Sequence, residues 1–204
     1  MGYGTMAVGF FFIFFNFNLG PVNLFPDIIG HILLCIGGDR LAGRMDNKRF
    51  QVLGKTALLL IAMSVLELFV KNSSILNGAI NATDTIEGRL FIGITSLLTV
   101  GLSVFFFYNL SMGISEEALE KGNSDLAERA ANTNKLFIIF QAAGAFVLLG
   151  GLIFAGEVVQ LQFGGIGILL MVGLIAIILY LFIRVRKMLK LASDTFEGDK
   201  QESW

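Results

Sequence analysis

Charged residues are scarce in this chain. Only 15% of its 204 residues are Asp, Glu, Lys or Arg, against about 25% in an ordinary soluble domain. In contrast, 55% are hydrophobic, and the mean hydropathy is +0.76. The net charge is −1, so no overall field attracts nucleic acid, and we expect no nucleic-acid partner. The composition excludes an ordinary soluble domain and predicts an all-α integral membrane protein whose main partner is the lipid bilayer.

Cysteines and catalytic motifs are also missing. The single cysteine, Cys35, excludes an intrachain disulfide framework. The sequence contains no G-x-S-x-G, no H-E-x-x-H, no Walker-type loop and no C-x-x-C. We therefore expect no catalytic residue and no cofactor. The first ten residues contain no basic region, so we expect the first apolar segment to be retained as a membrane anchor.

Uncharged apolar stretches mark four of six predicted transmembrane helices, and the second and third predicted spans are apolar but contain charged residues. A bilayer is crossed by about 20 apolar residues, and the first span ends at Pro21, which cannot continue the helical hydrogen bonding. We assign residues 1–192 to one six-helix transmembrane domain and residues 193–204 to a cytoplasmic tail. The predicted spans are residues 4–20, 24–42, 55–71, 90–113, 136–156 and 164–184.

The distribution of basic residues predicts how these spans are threaded. Thirteen of the fifteen Lys and Arg residues fall on one side of the six-span arrangement, and only Lys71 and Arg89 fall on the other. Loops rich in Lys and Arg stay in the cytoplasm. The sequence therefore predicts a multi-pass plasma-membrane protein with both termini in the cytoplasm.

The second and third spans carry charged groups at membrane depth. Asp27 and Asp39 are twelve residues apart, as are Lys55 and Glu67, which corresponds to about 18 Å of helix. The hydrocarbon core is about 30 Å thick. Because the two helices run antiparallel, we expect Asp27 and Glu67 at one level near the outer face. Asp39 and Lys55 are expected at one level near the inner face, where they would pair.

A polar cluster is therefore predicted near the outer leaflet. Asp27 and His31 are four residues apart and share a helix stripe, whereas Cys35 is about 12 Å from Asp27, too far to share an ion with it. Three interpretations remain open: hydrogen bonding inside the bundle, an ion or proton site, and a transition-metal site. The predicted cluster comprises Asn16, Asn18, Asn23, Asp27, His31 and Glu67.

Three further features carry structural expectations. Residues 115–135 are expected to be a solvated extension of the flanking helices, with a docking surface as the alternative. The phenylalanines of the first span cover every side of it and favour a helix that faces lipid. Five glycines of the last two spans predict close helix packing, with a dimer contact as the alternative. They are Gly144, Gly150, Gly151, Gly165 and Gly173.

Two stretches resemble small uncharacterised multi-pass membrane proteins of Gram-positive bacteria. The first is an N-x-x-P-D-x-I-G turn that opens a short second helix, with Asn23, Pro26, Asp27, Ile29 and Gly30 in the matching positions. The resemblance implies the same topology and a bacterial plasma-membrane location. His31 departs from the pattern, in which a Tyr is expected. The second stretch is a cytoplasmic segment that matches at Gly113, Ile114, Ala118, Gly122, Asn123, Leu126 and Ala127.

Three functions are compatible with these features. The first is a non-enzymatic accessory, partner-binding or sensor-like subunit that associates with another membrane protein or with copies of itself. The second is a small ion- or proton-coupled transporter or channel that uses Asp27, His31 and Glu67. The third is an intramembrane enzyme.

Overall fold

The structure is a computed structural model that describes residues 2–15, 26–72, 85–154 and 164–197. These residues are helical almost throughout and include no strand, which confirms the all-α prediction. One helix, α3, is a single turn, and each of the other six overlaps one predicted span. The helices are α1 (Gly2–Phe14), α2 (Pro26–Ala42), α3 (Lys48–Gln51), α4 (Leu53–Asn72), α5 (Ile86–Glu120), α6 (Ser124–Phe154) and α7 (Gly164–Glu197).

Length and composition indicate a membrane protein. Within the described ranges, three segments are long and apolar enough to cross a bilayer: Lys48–Val70, Ile86–Glu120 and Ser124–Ile153. With 35 residues in α5 and 34 in α7, each of these helices is about 50 Å long. A hydrocarbon core is only about 30 Å thick, so both helices continue well beyond any bilayer that they cross.

The six long helices pack into a closed ring. Around it, α1 contacts α2, α2 contacts α4, α4 contacts α5, α5 contacts α6, α6 contacts α7, and α7 returns to α1. The aromatic side chains of Tyr3, at the start of α1, and Phe196, at the end of α7, have their centroids 6.0 Å apart. The first helix therefore begins at the same end of the bundle at which the last described helix finishes. We call this the basic end, because the Lys- and Arg-rich connection between α2 and α4 also lies there.

Glycines bring the backbones of α1 and α2 into contact. A Cβ atom on Gly9 would lie 2.8 Å from the carbonyl oxygen of Gly30, and one on Gly30 would lie 2.9 Å from that of Gly9. Gly2 and Gly37 form the same reciprocal contact, at 3.0 and 2.9 Å. The two glycines of each helix are seven residues apart, which is two turns, so they lie on one stripe. Small residues at such positions allow helices to approach closely.

Two predictions about helix packing are wrong. A Cβ atom at Gly144, Gly150, Gly151 or Gly173 would meet nothing within 4 Å, so these four glycines make no close contact with the described helices of the chain. The surroundings of Gly165 lie outside the described residues. Helix α1 also does not present all its phenylalanines to lipid. Phe10 is buried, because its ring packs edge-on against two phenylalanines of α5.

The extensions of α5, α6 and α7 form an apolar core at the basic end. Residues 115–135 are therefore not simply solvated: Ala118, Leu126 and Ala130 are buried. They pack in one cluster with side chains of α7, including Phe196. Helix α7 continues past residue 192, the predicted end of the transmembrane domain, as far as Glu197. At these three positions the 115–135 segment therefore packs against the end of α7.

The connection between α2 and α4 is docked onto α5. Asn47 caps α3 by accepting a hydrogen bond from the backbone N–H of Arg49 at 2.9 Å. Phe50 is fully buried against Gly113 of α5. Arg49 Nε lies 2.6 Å from Glu116 Oε1, and this hydrogen bond raises the pKa of Arg49. Since both ionic side chains are partly exposed, the pair adds no more than about 1 kcal/mol, and Phe50 is the main anchor.

Candidate functional site: a cavity at the centre of the ring

His31 differs from most other buried polar residues. Thr56, Asn109, Ser111 and Thr133 each donate a hydrogen bond to the backbone carbonyl four residues earlier in the chain. His31 of α2 is only 6% exposed, and its Nδ1 atom lies 2.9 Å from the Ser64 hydroxyl of α4. Its side chain is therefore held across a helix interface and not by its own backbone.

The His31 side chain borders a cavity of about 240 Å³ at the centre of the ring. Each of the six long helices contributes to the wall, so the cavity exists only when the ring is closed. The wall consists of Phe10, Ile13, Phe14, His31, Leu34, Leu60, Ser103, Phe106, Phe137, Phe140, Gln141 and Ile178.

Three polar side chains line this mostly apolar cavity: His31, Ser103 and Gln141. Within the described part of the chain, no protein group hydrogen-bonds the second ring nitrogen of His31, the Ser103 hydroxyl or the Gln141 amide. His31 is buried, whereas Ser103 and Gln141 are half-buried, and a polar group shielded from water without a partner is costly. A molecule in the cavity that supplies hydrogen bonds would therefore be stabilised by all three.

The contact with Ser64 determines what His31 offers to such a molecule. A neutral imidazole has one donor and one acceptor nitrogen, and a serine hydroxyl complements either role. When Ser64 donates to Nδ1, the opposite nitrogen, Nε2, is a donor; when Ser64 accepts, Nε2 is an acceptor. The His31–Ser64 pair can thus adapt to either kind of ligand group, while the Gln141 amide offers both kinds at once.

The predicted outer cluster falls into several parts. Asn16, Asn18 and Asn23 lie outside the described residues. Asp27 is in the first turn of α2, one turn from His31. Glu67 is three residues after Ser64 and lines a separate cavity of about 230 Å³ between α4 and α5. Of the predicted cluster, His31 lines the central cavity, whereas a site shared with Asp27 and Glu67 stays a prediction.

The contacts of α2 with α4 do give the register of these helices. His31 meets Ser64, and seven residues further along α2 a Cβ atom on Gly38 would lie 3.1 Å from the backbone nitrogen of Gly54. The pair is thus antiparallel, and one turn beyond His31 and Ser64 the sequence reaches Asp27 on α2 and Glu67 on α4. These two positions are therefore at a similar height along the bundle.

The predicted inner pair lies at the other end of these helices. Asp39 and Lys55 are both exposed. A Cβ atom on Gly54, the residue before Lys55, would overlap a carboxylate oxygen of Asp39. The two charged residues therefore share a level near the basic end, and their pairing stays a prediction.

Sequence reasoning missed three of the residues that give the site its polarity: Ser64, Ser103 and Gln141. Ser103 lies among several Ser and Thr residues of α5 and has no distinguishing signal. Gln141 did have one, because it is the only residue between Leu136 and Gly156 with a polar side chain. A lone amide within an apolar span is costly unless it faces a cavity or a partner.

Comparison of the chain with protein-family models, with curated proteins and with solved structures finds no match.

Proposed function

We propose that the chain crosses a bacterial plasma membrane six times, with the basic end in the cytoplasm. The asymmetry of Lys and Arg supports this threading, because positive segments are retained in the cytoplasm. The antiparallel ring also supports it, since an even number of crossings returns the chain to the side where it began. The Gram-positive resemblance around Pro26 and Asp27 supports the choice of membrane.

The function that the geometry supports best is the binding of a small, mostly apolar molecule in the central cavity, by a non-enzymatic, sensor-like membrane protein. The observation that carries this proposal is the cavity wall. It combines apolar side chains from every long helix with three polar groups: the second ring nitrogen of His31, the Ser103 hydroxyl and the Gln141 amide, none of which is hydrogen-bonded by the described part of the protein. Ligand pockets typically combine an apolar lining with a few orienting polar groups. A molecule that contacts all six helices would bias how they pack, which is what a sensor requires.

Binding can be measured with p-cresol, a small aromatic ring with one hydroxyl group, and with toluene, which lacks the hydroxyl. We expect p-cresol to raise the Tm of the detergent-purified protein saturably and to bind more tightly than toluene. The Gln141→Leu variant should bind p-cresol about fivefold more weakly, the effect of one lost hydrogen bond. Its affinity for toluene should not fall.

The matched control is Gln51→Leu, the same replacement at an exposed position of α3. If p-cresol and toluene bind the native chain equally, or if Gln51→Leu weakens p-cresol binding as much as Gln141→Leu does, the cavity is not a site for such molecules.

A role as an accessory or partner-binding subunit stays a prediction. Weighing the complexes extracted in mild detergent tests it, since a stable foreign partner would support it.

A small transporter or channel is the second candidate, and the surface of α7 favours it. Residues 172–177 of α7 are all exposed, and six consecutive residues cover the whole circumference of a helix. The next residue, Ile178, lines the central cavity. Along this stretch α7 is therefore not packed against the described helices, which leaves a lateral route towards the cavity.

Flux measurements separate the two functions. In vesicles that contain a pH-sensitive dye, a proton-coupled transporter should carry protons faster than protein-free vesicles do. His31→Gln and Asp27→Asn should reduce this flux if these residues are the coupling groups. A native chain that gives no flux above the protein-free level, while still binding p-cresol, contradicts transport of protons and leaves the binding function standing.

A further inference from the structure

Another cavity, of about 280 Å³, lies between α6 and α7 near the basic end. Its lining differs from that of the central cavity, because it is dominated by cations and hydrogen-bonding groups. Arg129 and Thr133 come from α6, whereas Tyr180, Arg184 and Lys187 come from α7. We call these five residues the α6–α7 cleft.

The positive charge of the cleft is only partly compensated. Arg129 Nε lies 2.7 Å from the Asp125 carboxylate, and this hydrogen bond raises the pKa of Arg129. Arg184 donates a hydrogen bond to the Tyr180 hydroxyl at 3.0 Å, and its guanidinium lies over the Tyr180 ring. No carboxylate pairs with Arg184 or Lys187 in the described part of the chain. Two cations therefore remain available to an anion.

The cleft lies where the surface changes from charged to apolar. On α7 the exposed residues from Val172 to Leu179 are all apolar or glycine, and the basic residues begin at Arg184. On α6 the exposed side chains change from Lys135 to Ile139. A change of this kind marks the depth of lipid headgroups, where Tyr side chains such as Tyr180 are also enriched.

We propose that the α6–α7 cleft binds the phosphate-bearing headgroup of an anionic phospholipid. Guanidinium groups bind phosphate oxygens with paired hydrogen bonds, and basic pockets between transmembrane helices on the cytoplasmic side accommodate such headgroups. The exposed apolar side chains of α6 and α7 next to the cleft provide the surface along which the acyl chains lie. A free phosphate ion would use the cations but not this apolar surface.

Native mass spectrometry of the purified full-length chain tests the proposal. The probes are dioleoyl phosphatidylglycerol, dioleoyl phosphatidylcholine of the same chain length, and inorganic phosphate. We expect selective retention of phosphatidylglycerol and about a 30-fold loss of its affinity in Arg184→Gln/Lys187→Gln. The matched control, Arg186→Gln/Lys190→Gln, removes the same charge from exposed positions of the same helix outside the cleft. It should bind phosphatidylglycerol like the native chain.

Three results would overturn the proposal. Equal losses in the two double variants would show that diffuse positive charge attracts the lipid, and equal retention of the two lipids would show that the headgroup is not recognised. Inorganic phosphate that binds as tightly as phosphatidylglycerol would identify a free anion as the occupant. If the first double variant does not fold, Lys187→Gln alone, at an exposed side chain, provides the same comparison against Lys190→Gln.

Discussion

Replacing Phe50 by alanine is expected to lower the free energy of unfolding by about 3–5 kcal/mol. The Phe50 side chain is completely buried. It fills the space in front of Gly113, where a Cβ atom would lie 2.8 Å from the Phe50 ring. Truncation therefore removes apolar contacts and leaves a cavity that the rigid helices around it cannot close. The loss should also release the connection between α2 and α4 from α5.

The matched control for this prediction is Phe105→Ala on α5. Phe105 is 50% exposed on the outside of the ring, so its truncation should change stability much less. Equilibrium unfolding of both variants in the same detergent measures the difference. Equal destabilisation of the two variants would mean that Phe50 is not the anchor of this connection.

The helices themselves could be predicted from the sequence, because the bilayer sets a simple length requirement. A stretch of about 20 uncharged apolar residues is visible without any knowledge of packing, and each predicted span overlaps one long helix. The parts of α6 and α7 that continue beyond the apolar stretches were harder to predict. Helix α6 begins at Ser124 and α7 ends at Glu197, well beyond the apolar stretches. Their stability depends on contacts with each other, and no local pattern specifies those contacts.

For the candidate site, the sequence predicts the level of each residue along the bundle, but it does not predict which neighbouring helices the side chain faces. A rise of about 1.5 Å per residue gives the level of any residue in a span, and Asp27 and Glu67 do lie at similar heights. The side of the helix on which a residue lies depends on which neighbours surround it. Glu67 is three residues after Ser64, only about 60° from it around the helix, and yet it lines another cavity, between α4 and α5. Ring closure between α7 and α1 decides which residues meet at the centre.

The glycine contact between α1 and α2 carries the second prediction. Gly9→Ala and Gly30→Ala are each expected to destabilise the protein by about 1–3 kcal/mol. At Gly9 the nearest atom is the Gly30 carbonyl oxygen at 2.8 Å, and at Gly30 the added atom would meet Ile13 Cγ1 at 2.6 Å and the Gly9 carbonyl oxygen at 2.9 Å. A helix backbone cannot move aside as a flexible side chain can. The two helices must then separate along the whole stripe. The double variant should lose less than the sum of the single losses, since either methyl group already forces the separation.

Gly144→Ala is the matched control, because the same added methyl group meets nothing within 4 Å on α6. It should be neutral or more stable by about 0.5–1 kcal/mol, the usual gain when alanine replaces glycine within a helix. Unfolding in detergent distinguishes the expected loss of stability in Gly9→Ala from the expected gain or absence of change in Gly144→Ala. A Gly9→Ala variant as stable as Gly144→Ala would contradict the close contact.

Separation of α1 from α2 also has a consequence for the central cavity. Phe10 of α1 and His31 of α2 are among the residues that line it, so Gly9→Ala should weaken p-cresol binding although it alters no lining residue.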